Sequence, residues 1–179
     1  NVRVHKPRVS YRETVAKAAD VTGEFHQTVG GQSLQAVVNV RIEPLERGGG
    51  FEFVDKIVGG AIPRQFIPAV ERGIADTMAE GGVLKGYPVV DVRAICVDGK
   101  AHSVDSSEMS FRAAGRLAFR EAMEAGQPVL LEPVSEVVVV VPSELQGDVM
   151  GDLSARRGRV VGTEQAGRDG VAITALVPS

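Results

Sequence analysis

Residues 147–159 read Gly-Asp-Val-Met-Gly-Asp-Leu-Ser-Ala-Arg-Arg-Gly-Arg, a pattern typical of one helix and its exit. Asp148 falls in the expected first turn, where a negative charge interacts favourably with the positive end of the helix dipole. The apolar side chains share one face at helical spacing: Val149, Met150 and Leu153. The expected end has two basic residues and a glycine in the left-handed conformation: Arg156, Arg157 and Gly158. The stretch predicts a capped helix with one buried face.

Strands are predicted on both sides of this helix. Residues 134–141 are nearly all β-branched, and two further runs, 159–162 and 170–177, flank a Gly-Arg-Asp-Gly turn. The resulting β-α-β-β order fits the first part of a ferredoxin-like split βαβ fold, whose second helix and fourth strand are expected beyond Ser179. Gln127-Pro128 is the expected boundary with the preceding domain. We therefore predict two domains, 1–128 and 129–179.

The first domain is predicted to mix strands and helices. A hairpin is expected over 23–42, with a loop from about Gly30 to Gln35, and Val38, Val40 and Ile42 on one face. The other predicted elements are a strand at 51–54, a helix from Ile62-Pro63 to Gly81, a strand at 89–97 ending in an Asp98-Gly99 turn, and a helix ending near Gly126. Asp105 and Glu108 are expected to form the capping box of that last helix. The predicted class is α+β.

Composition limits the function classes. The 179 residues carry a formal net charge of −3, with a pI of about 5.7. A free-standing RNA-binding domain is usually basic, so this charge argues against one, but it allows a chain that touches RNA only at its tips. The one cysteine, Cys96, lies in an apolar run and is expected to be a buried thiol. The first residues lack the apolar run of a signal peptide, and no apolar stretch is long enough to cross a membrane. We expect a cytoplasmic segment of a longer protein that has no membrane partner.

Several strings, taken in order, resemble elongation factor G. Those similar to its domain IV are Tyr11-Arg12-Glu13-Thr14, Gly59-Gly60-Ala61-Ile62-Pro63, Tyr87-Pro88-Val89-Val90-Asp91-Val92 and Val104-Asp105-Ser106-Ser107-Glu108-Met109. Val129-Leu130-Leu131-Glu132-Pro133 is similar to the passage into domain V, and the Arg-Arg-Gly helix is similar to the helix of that domain. The resemblance implies an α+β chain: a fold like the second domain of ribosomal protein S5, with a left-handed βαβ crossover, followed by a partial ferredoxin-like domain.

The resemblance also implies a function. Domain IV of this family is an arm that enters the A site of the small ribosomal subunit to support tRNA–mRNA translocation, and domain V lies against large-subunit rRNA. The parent would be a GTPase that binds GTP and Mg²⁺ in an earlier domain. This chain contains no Gly-x-x-x-x-Gly-Lys-Ser/Thr phosphate loop, so we expect no catalytic residue, cofactor or metal in it. A monomer is expected.

The two tip loops of the family differ in how well this chain matches them. Where the family has Gly-Gly-Arg-Gly-Gln-Tyr-Gly, residues 30–36 read Gly-Gly-Gln-Ser-Leu-Gln-Ala, without the arginine and aromatic ring suited to phosphate pairing and base stacking. The second loop, 98–105, keeps a histidine at the family's tip position. The resemblance implies these RNA contacts: Gly30, Gly31, Gln32, Ser33, Lys100 and His102. The alternative is an ordinary hairpin loop with a solvated lysine and an exposed histidine. The divergent first loop suggests a paralogue with an altered task, or a divergent organellar or bacterial form, rather than the housekeeping factor.

Arginines in the second domain are candidate rRNA contacts: Arg156, Arg157 and Arg159. Their alternative role is to complete the helix dipole in solvent. The altered first loop leaves a second function open, in which the arm serves ribosome recycling or ribosome protection without translocation. A third class, an S5-like small-molecule kinase, needs a phosphate-binding glycine loop followed by a helix. The run Gly48-Gly49-Gly50 precedes a predicted strand instead, which disfavours that class.

Overall fold

The computed structural model describes residues 11–102 and 104–178, with every side chain in those ranges except that of Val29. The described chain divides into two compact units, one of Arg12–Leu131 and one of 132–178 together with Tyr11. The domain boundary at 128/129 stays a prediction. Residues 128–131 form a strand that pairs inside the first unit.

The first unit combines two sheets with two helices. Its elements are β1 (Arg12–Val15), β2 (Ala19–Val29), β3 (Gln32–Pro44), β4 (Phe51–Asp55), α1 (Ile67–Glu80), β5 (Val92–Ala101), α2 (Glu108–Ala125) and β6 (Pro128–Leu131). The larger sheet has the order β2-β3-β5-β4, in which only β4 and β5 are parallel, and β1 pairs antiparallel with β6. The connection between the parallel strands runs through α1, as a parallel pair requires.

One face of the larger sheet carries the core. Alternating residues of β3 point into it, and Val38, Val40 and Ile42 are fully buried, as predicted. The two helices supply the opposite wall with a stripe of side chains that includes Val70, Ile74, Phe111, Ala118 and Phe119. Each buried valine, isoleucine or phenylalanine of this set contributes about 1.5–3 kcal/mol relative to exposure, which explains why α1 and α2 dock on this face.

The β2–β3 hairpin is longer than the sequence predicted. The strands pair continuously up to Val29 opposite Gln32, so the turn contains only Gly30 and Gly31 and not the whole of 30–35. The sequence predicts a loop for the polar residues that follow Gly31, but their backbones continue the β2–β3 ladder. The predicted loop is therefore wrong for residues 32–35, which belong to β3.

β5 also differs from its prediction. It begins at Val92 and continues through Asp98 and Gly99 to Ala101, where the sequence predicted a turn. A bulge opposite Asn39 and Val40 admits an extra residue, so the ladder resumes beyond it. A Cβ on Gly99 would lie 2.6 Å from the backbone carbonyl oxygen of Val37, so this position needs glycine for packing and not for a turn.

Both helices of this unit start later than predicted. After Pro63, residues 64–66 form a 3₁₀ turn, and α1 itself begins at Ile67 with Pro68 in its first turn. α2 is capped by Ser107, whose hydroxyl accepts the Ser110 N–H at 3.2 Å, while the Ser110 hydroxyl accepts the Ser107 N–H at 2.7 Å. The capping box predicted for Asp105 and Glu108 is wrong, and it lies two residues further along with serine at both positions. α2 ends at Gly126 as expected.

The second unit has the predicted β-α-β-β order. Its elements are β7 (Val134–Pro142), α3 (Gln146–Ala155), β8 (Arg159–Ala166) and β9 (Gly170–Pro178). The sheet has the order β7-β9-β8, all antiparallel. Its small core is formed by Leu153, Ile173 and Ala175, with Val149 and Met150 packed against it, as the helical spacing predicted. The α+β class of the whole chain is confirmed.

The C-terminal end of α3 differs from its prediction in which residue is left-handed. Arg157 has a φ of 59° and is the left-handed residue, a role that the sequence assigned to Gly158. The Gly158 N–H donates to the Leu153 carbonyl at 2.8 Å, which closes the helix end. A Cβ on Gly158 would lie 2.7 Å from the same oxygen. The glycine is needed for that close approach.

Two other predictions concern single features. Cys96 is fully buried in β5, as expected. Desolvation, with smaller contributions from Asp55 and Asp98, raises the pKa of its thiol to about 12. Within residues 11–102 and 104–178, no helix is long and apolar enough to cross a membrane.

Candidate nucleic-acid interface

The first candidate segment is the exposed turn of the β2–β3 hairpin. Gly30 and Gly31 have φ angles of 58° and 82°, and positive values at both central residues define a type I′ turn. This turn matches the right-handed twist of the strands, so it extends the hairpin without splaying it. Ser33 lies on the strand beside it, with its hydroxyl 3.3 Å from His26 Nε2. Gln32 is exposed.

The hairpin projects past its neighbour in the sheet. β5 ends at Ala101, opposite Ala36, whereas β2 and β3 stay paired as far as Gln32. At about 3.4 Å per residue, the ladder continues about 10 Å beyond Gln35 before the turn begins. The tip is therefore a regular two-stranded projection.

The second candidate segment follows β5 at the same end of the sheet. Lys100 is exposed and pairs with Val37 of β3, and His102 begins the loop to α2. The His102 side chain is 56% exposed, with Nδ1 lying 3.4 Å from Asp105 Oδ2. This contact leaves Nε2 of the imidazole directed away from the carboxylate. Ser103, which also belongs to the predicted loop, lies outside the described residues.

The two segments meet at Gln35. The Gln35 N–H donates to the Asp105 carbonyl at 2.9 Å, and the Ser106 hydroxyl donates to the Gln35 carbonyl at 2.7 Å. The same hydroxyl accepts the His102 N–H at 2.6 Å. Thus the structure brings the predicted residues of both loops to one end of the sheet and ties their backbones together. Sequence reasoning missed Ser106 and Gln35, although Ser106 lies in a string that resembles the family.

The charge at this end of the sheet is mixed. The ionisable side chains near it include Glu24, His26, Lys100, His102 and Asp105, and Glu24 accepts a hydrogen bond from the Gln35 amide at 3.4 Å. Between Ala18 and Val40 the sequence contains no lysine or arginine. Residues 30–34 at the tip carry no ionisable side chain, so the tip offers amide, hydroxyl and backbone groups, which suit sugar and base edges, and pairing with phosphate would be left to Lys100 and His102.

The candidate arginines lie in the second unit, at the end of α3 and the start of β8. Arg156 Nε lies 3.1 Å from Asp152 Oδ2, and Arg157 Nη2 lies 3.4 Å from Glu132 Oε2. Both side chains are at least 70% exposed, and Arg159 is exposed as well. Exposed ion pairs of this kind are worth about 0–1 kcal/mol, so they present little barrier to a competing phosphate.

Two buried carboxylates near the resemblance strings organise loops. Glu13 is fully buried and accepts N–H groups from Leu84 at 2.8 Å, Lys85 at 3.1 Å and Tyr87 at 2.7 Å. An acidic residue among strand formers was the available sequence signal. Its partners lie more than seventy positions away, and no spacing pattern pointed to them.

The Asp91 carboxylate likewise accepts backbone N–H groups, in this case from the run Gly48-Gly49-Gly50. Its Oδ1 accepts the Gly48 N–H at 3.2 Å and the Gly50 N–H at 2.9 Å, from a backbone with a φ of 60°. In a kinase-type loop these N–H groups would have to donate to a phosphate, but here they donate to the Asp91 carboxylate. The geometry thus argues against the small-molecule kinase alternative. Among the described residues, no group of three His, Cys, Asp or Glu side chains is placed to hold a metal ion.

Comparisons with known proteins agree with the geometry of both units. Residues 7–127 match the family model of elongation factor G domain IV, and residues 129–179 match that of the elongation factor G C-terminus. An "Elongation factor G-like protein" of Thermotoga maritima is 51% identical over 178 residues, which is 99% of this chain and 26% of that protein. A protein of the same name from Mycobacterium tuberculosis is 54% identical over 171 residues, covering 96% of this chain and 24% of that one.

A solved structure is also similar. A crystal structure of a Thermus thermophilus protein has a TM-score of 0.83 and 41% identity, and the match covers 96% of this chain and 25% of that one. The chain therefore spans about a quarter of the length of the relatives that it matches.

Proposed function

Since the chain belongs to the elongation factor G family, we propose that it is the ribosome-binding arm of a translational GTPase. In this proposal the first unit enters the ribosomal A site on the small subunit, where the tip contacts the tRNA–mRNA duplex during translocation. The observation that carries the proposal is the position of the Gly30-Gly31 turn and His102 at one end of the same sheet, joined through Gln35.

The work of such an arm is mechanical. A projecting hairpin that occupies the A site excludes the tRNA and mRNA from that space and prevents their return. This requires stiffness and shape, which the continuous β2–β3 ladder supplies. GTP hydrolysis belongs to a part of the parent protein outside this chain, where we place GTP and Mg²⁺. We further propose that Arg156, Arg157 and Arg159 contact large-subunit rRNA, and that the parent acts as a cytoplasmic monomer.

The lack of lysine and arginine on the hairpin favours a second candidate function. Without a lysine or arginine between Ala18 and Val40, the hairpin contributes little to phosphate binding. An arm that enters the ribosome and leaves quickly, in recycling or in protection against a bound inhibitor, needs less affinity for the duplex than one that holds it. The same chain would then support subunit splitting or inhibitor release without tRNA movement.

A chimera separates these functions. Residues 7–179 would replace the matching segment of an active translocase, and ribosome-dependent GTP hydrolysis would show that the chimera engages ribosomes. Puromycin reactivity of peptidyl-tRNA then reports translocation, and light scattering reports subunit splitting with a recycling partner. Translocation supports the first proposal, and splitting without translocation supports the second. A chimera that hydrolyses GTP on ribosomes but does neither contradicts both.

A further inference from the structure

The end of β5 leaves two backbone groups of β3 without a strand partner. Ala36 is the last β3 residue paired with β5, and the N–H and C=O of Gln35 lie just past it. Backbone groups of this kind need another partner or water. Here they are taken by the loop before α2, through the Asp105 carbonyl and the Ser106 hydroxyl. The loop thus replaces the missing strand at the base of the projecting hairpin.

The Ser106 hydroxyl makes two bonds in opposite directions. It donates to the Gln35 carbonyl at 2.7 Å and accepts the His102 N–H at 2.6 Å, while the Ser106 N–H donates to the His102 carbonyl at 2.9 Å. A hydroxyl is both donor and acceptor, so serine or threonine can make both bonds and alanine can make neither. One oxygen atom therefore links β3 to the residue that carries the imidazole.

The imidazole is oriented by the same loop. Asp105, whose carboxylate lies beside His102 Nδ1, is held by its own carbonyl to the Gln35 N–H. The ring and the hairpin are thus fixed to each other through Gln35 and Ser106, over a sequence separation of 71 residues. Neither contact uses the Gln35 side chain.

We propose that Ser106 is a positioning residue that holds the His102 loop in register with the β2–β3 hairpin, so that both tip segments engage the same RNA as one unit. The RNA-binding part rests on the proposed function. The positioning part rests on the contacts alone. Ser106 does not have to touch RNA in this role.

The first test is made on the 179-residue chain without ribosomes. Hydrogen exchange of the His102 amide would be measured in the parent chain, Ser106→Ala and Ser106→Thr. We expect exchange about tenfold or more faster in Ser106→Ala and near-parent exchange in Ser106→Thr, because threonine retains the hydroxyl. Ser107→Ala is the matched control: it removes the cap of α2 and lowers Tm, but leaves the bond to His102. Unchanged His102 exchange in Ser106→Ala would overturn the proposal.

The second test is made in the chimera, on translocation rate. Replacing His102 by alanine should slow translocation by about threefold or more in the parent and Ser106→Thr backgrounds, and by much less in Ser106→Ala, because the imidazole is already misplaced there. If His102→Ala slows translocation by the same factor in all three backgrounds, the two segments are not coupled and this part of the proposal is overturned. If the unsubstituted chimera fails on ribosomes, the proposed function fails, and the exchange measurement still decides the positioning role.

Discussion

The Glu13 carboxylate accepts the Tyr87 N–H at 2.7 Å, although Glu13 belongs to β1 and Tyr87 to the segment between α1 and β5. Two more N–H groups of that segment, from Leu84 and Lys85, share the same carboxylate. A strand residue therefore fixes the conformation of a distant loop, because its carboxylate accepts hydrogen bonds from N–H groups of that loop. This explains in physical terms why an acid occurs in the Tyr11–Thr14 string.

The first prediction is that Glu13→Ala destabilises the first unit by about 1–3 kcal/mol, because three part-buried N–H groups lose their hydrogen-bond acceptor. Urea unfolding followed by far-UV circular dichroism measures the change. Glu71→Ala is the control, since Glu71 is exposed on α1 and its loss should cost less than about 0.5 kcal/mol. Equal stabilities of the two variants would show that the carboxylate is not needed.

A second prediction concerns two helical glycines. A Cβ on Gly73 would lie 2.3 Å from the Arg112 carbonyl, so Gly73→Ala must push α1 away from α2, at a cost of about 1–3 kcal/mol. Gly151 lies in α3 with nothing within 4 Å of an added Cβ, and Gly151→Ala should add up to about 1 kcal/mol to its own unit. Thermal unfolding measures both. The same sign of effect for the two variants would be inconsistent with this packing.

A third prediction concerns the hairpin turn. Neither Gly30 nor Gly31 has an atom within 4 Å of an added Cβ, so only the backbone conformation restricts them. Gly31→Val should cost about 1–2 kcal/mol, because a β-branched residue disfavours positive φ. Gly30→Asn should be nearly neutral, since asparagine is common at the first central position of a type I′ turn. Cross-strand NOEs between residues 29 and 32 and the Tm of each variant test this, and a Gly31→Val variant as stable as the parent would refute it.

A fourth prediction concerns the Cys96 thiol. Burial raises its pKa to about 12, so it stays protonated at neutral pH, and only the thiolate reacts with alkylating reagents. Iodoacetamide at pH 8 should modify the native chain very slowly and the urea-unfolded chain readily. The rate in the native chain should rise as the pH is raised towards 12. Rapid alkylation of the folded chain at pH 8 would mean that the β5 core opens often.

Regular elements were largely predictable from the sequence because periodic burial leaves a periodic pattern. Val38, Val40 and Ile42 on β3, and the apolar face of α3, were identified in this way. The cap of α2 was misplaced because Asp105, Ser106 and Ser107 are all residues that favour caps, and only tertiary contacts select among them. The end of the hairpin was misread because its polar residues continue the ladder past the core.

The candidate site was predictable only in part. The resemblance indicated Gly30, Gly31 and His102, which lie at one end of the sheet. The link between them passes through the backbone of Gln35 and the hydroxyl of Ser106, and backbone contacts over such a separation leave no spacing pattern. The bonds of Glu13 and Asp91 to distant N–H groups were hidden for the same reason.

Entry of the tip into the ribosomal A site can be tested by tethered cleavage on the ribosome. Gln32→Cys in the chimera, with Cys96→Ala, carries an Fe(II)–EDTA probe at the tip. Glu46→Cys carries the same probe about 40 Å away, beyond the other end of β3. We expect cleavage of small-subunit rRNA around the decoding region from residue 32 and not from residue 46. Cleavage from both positions alike, or from neither on ribosomes that bind the chimera, would contradict it.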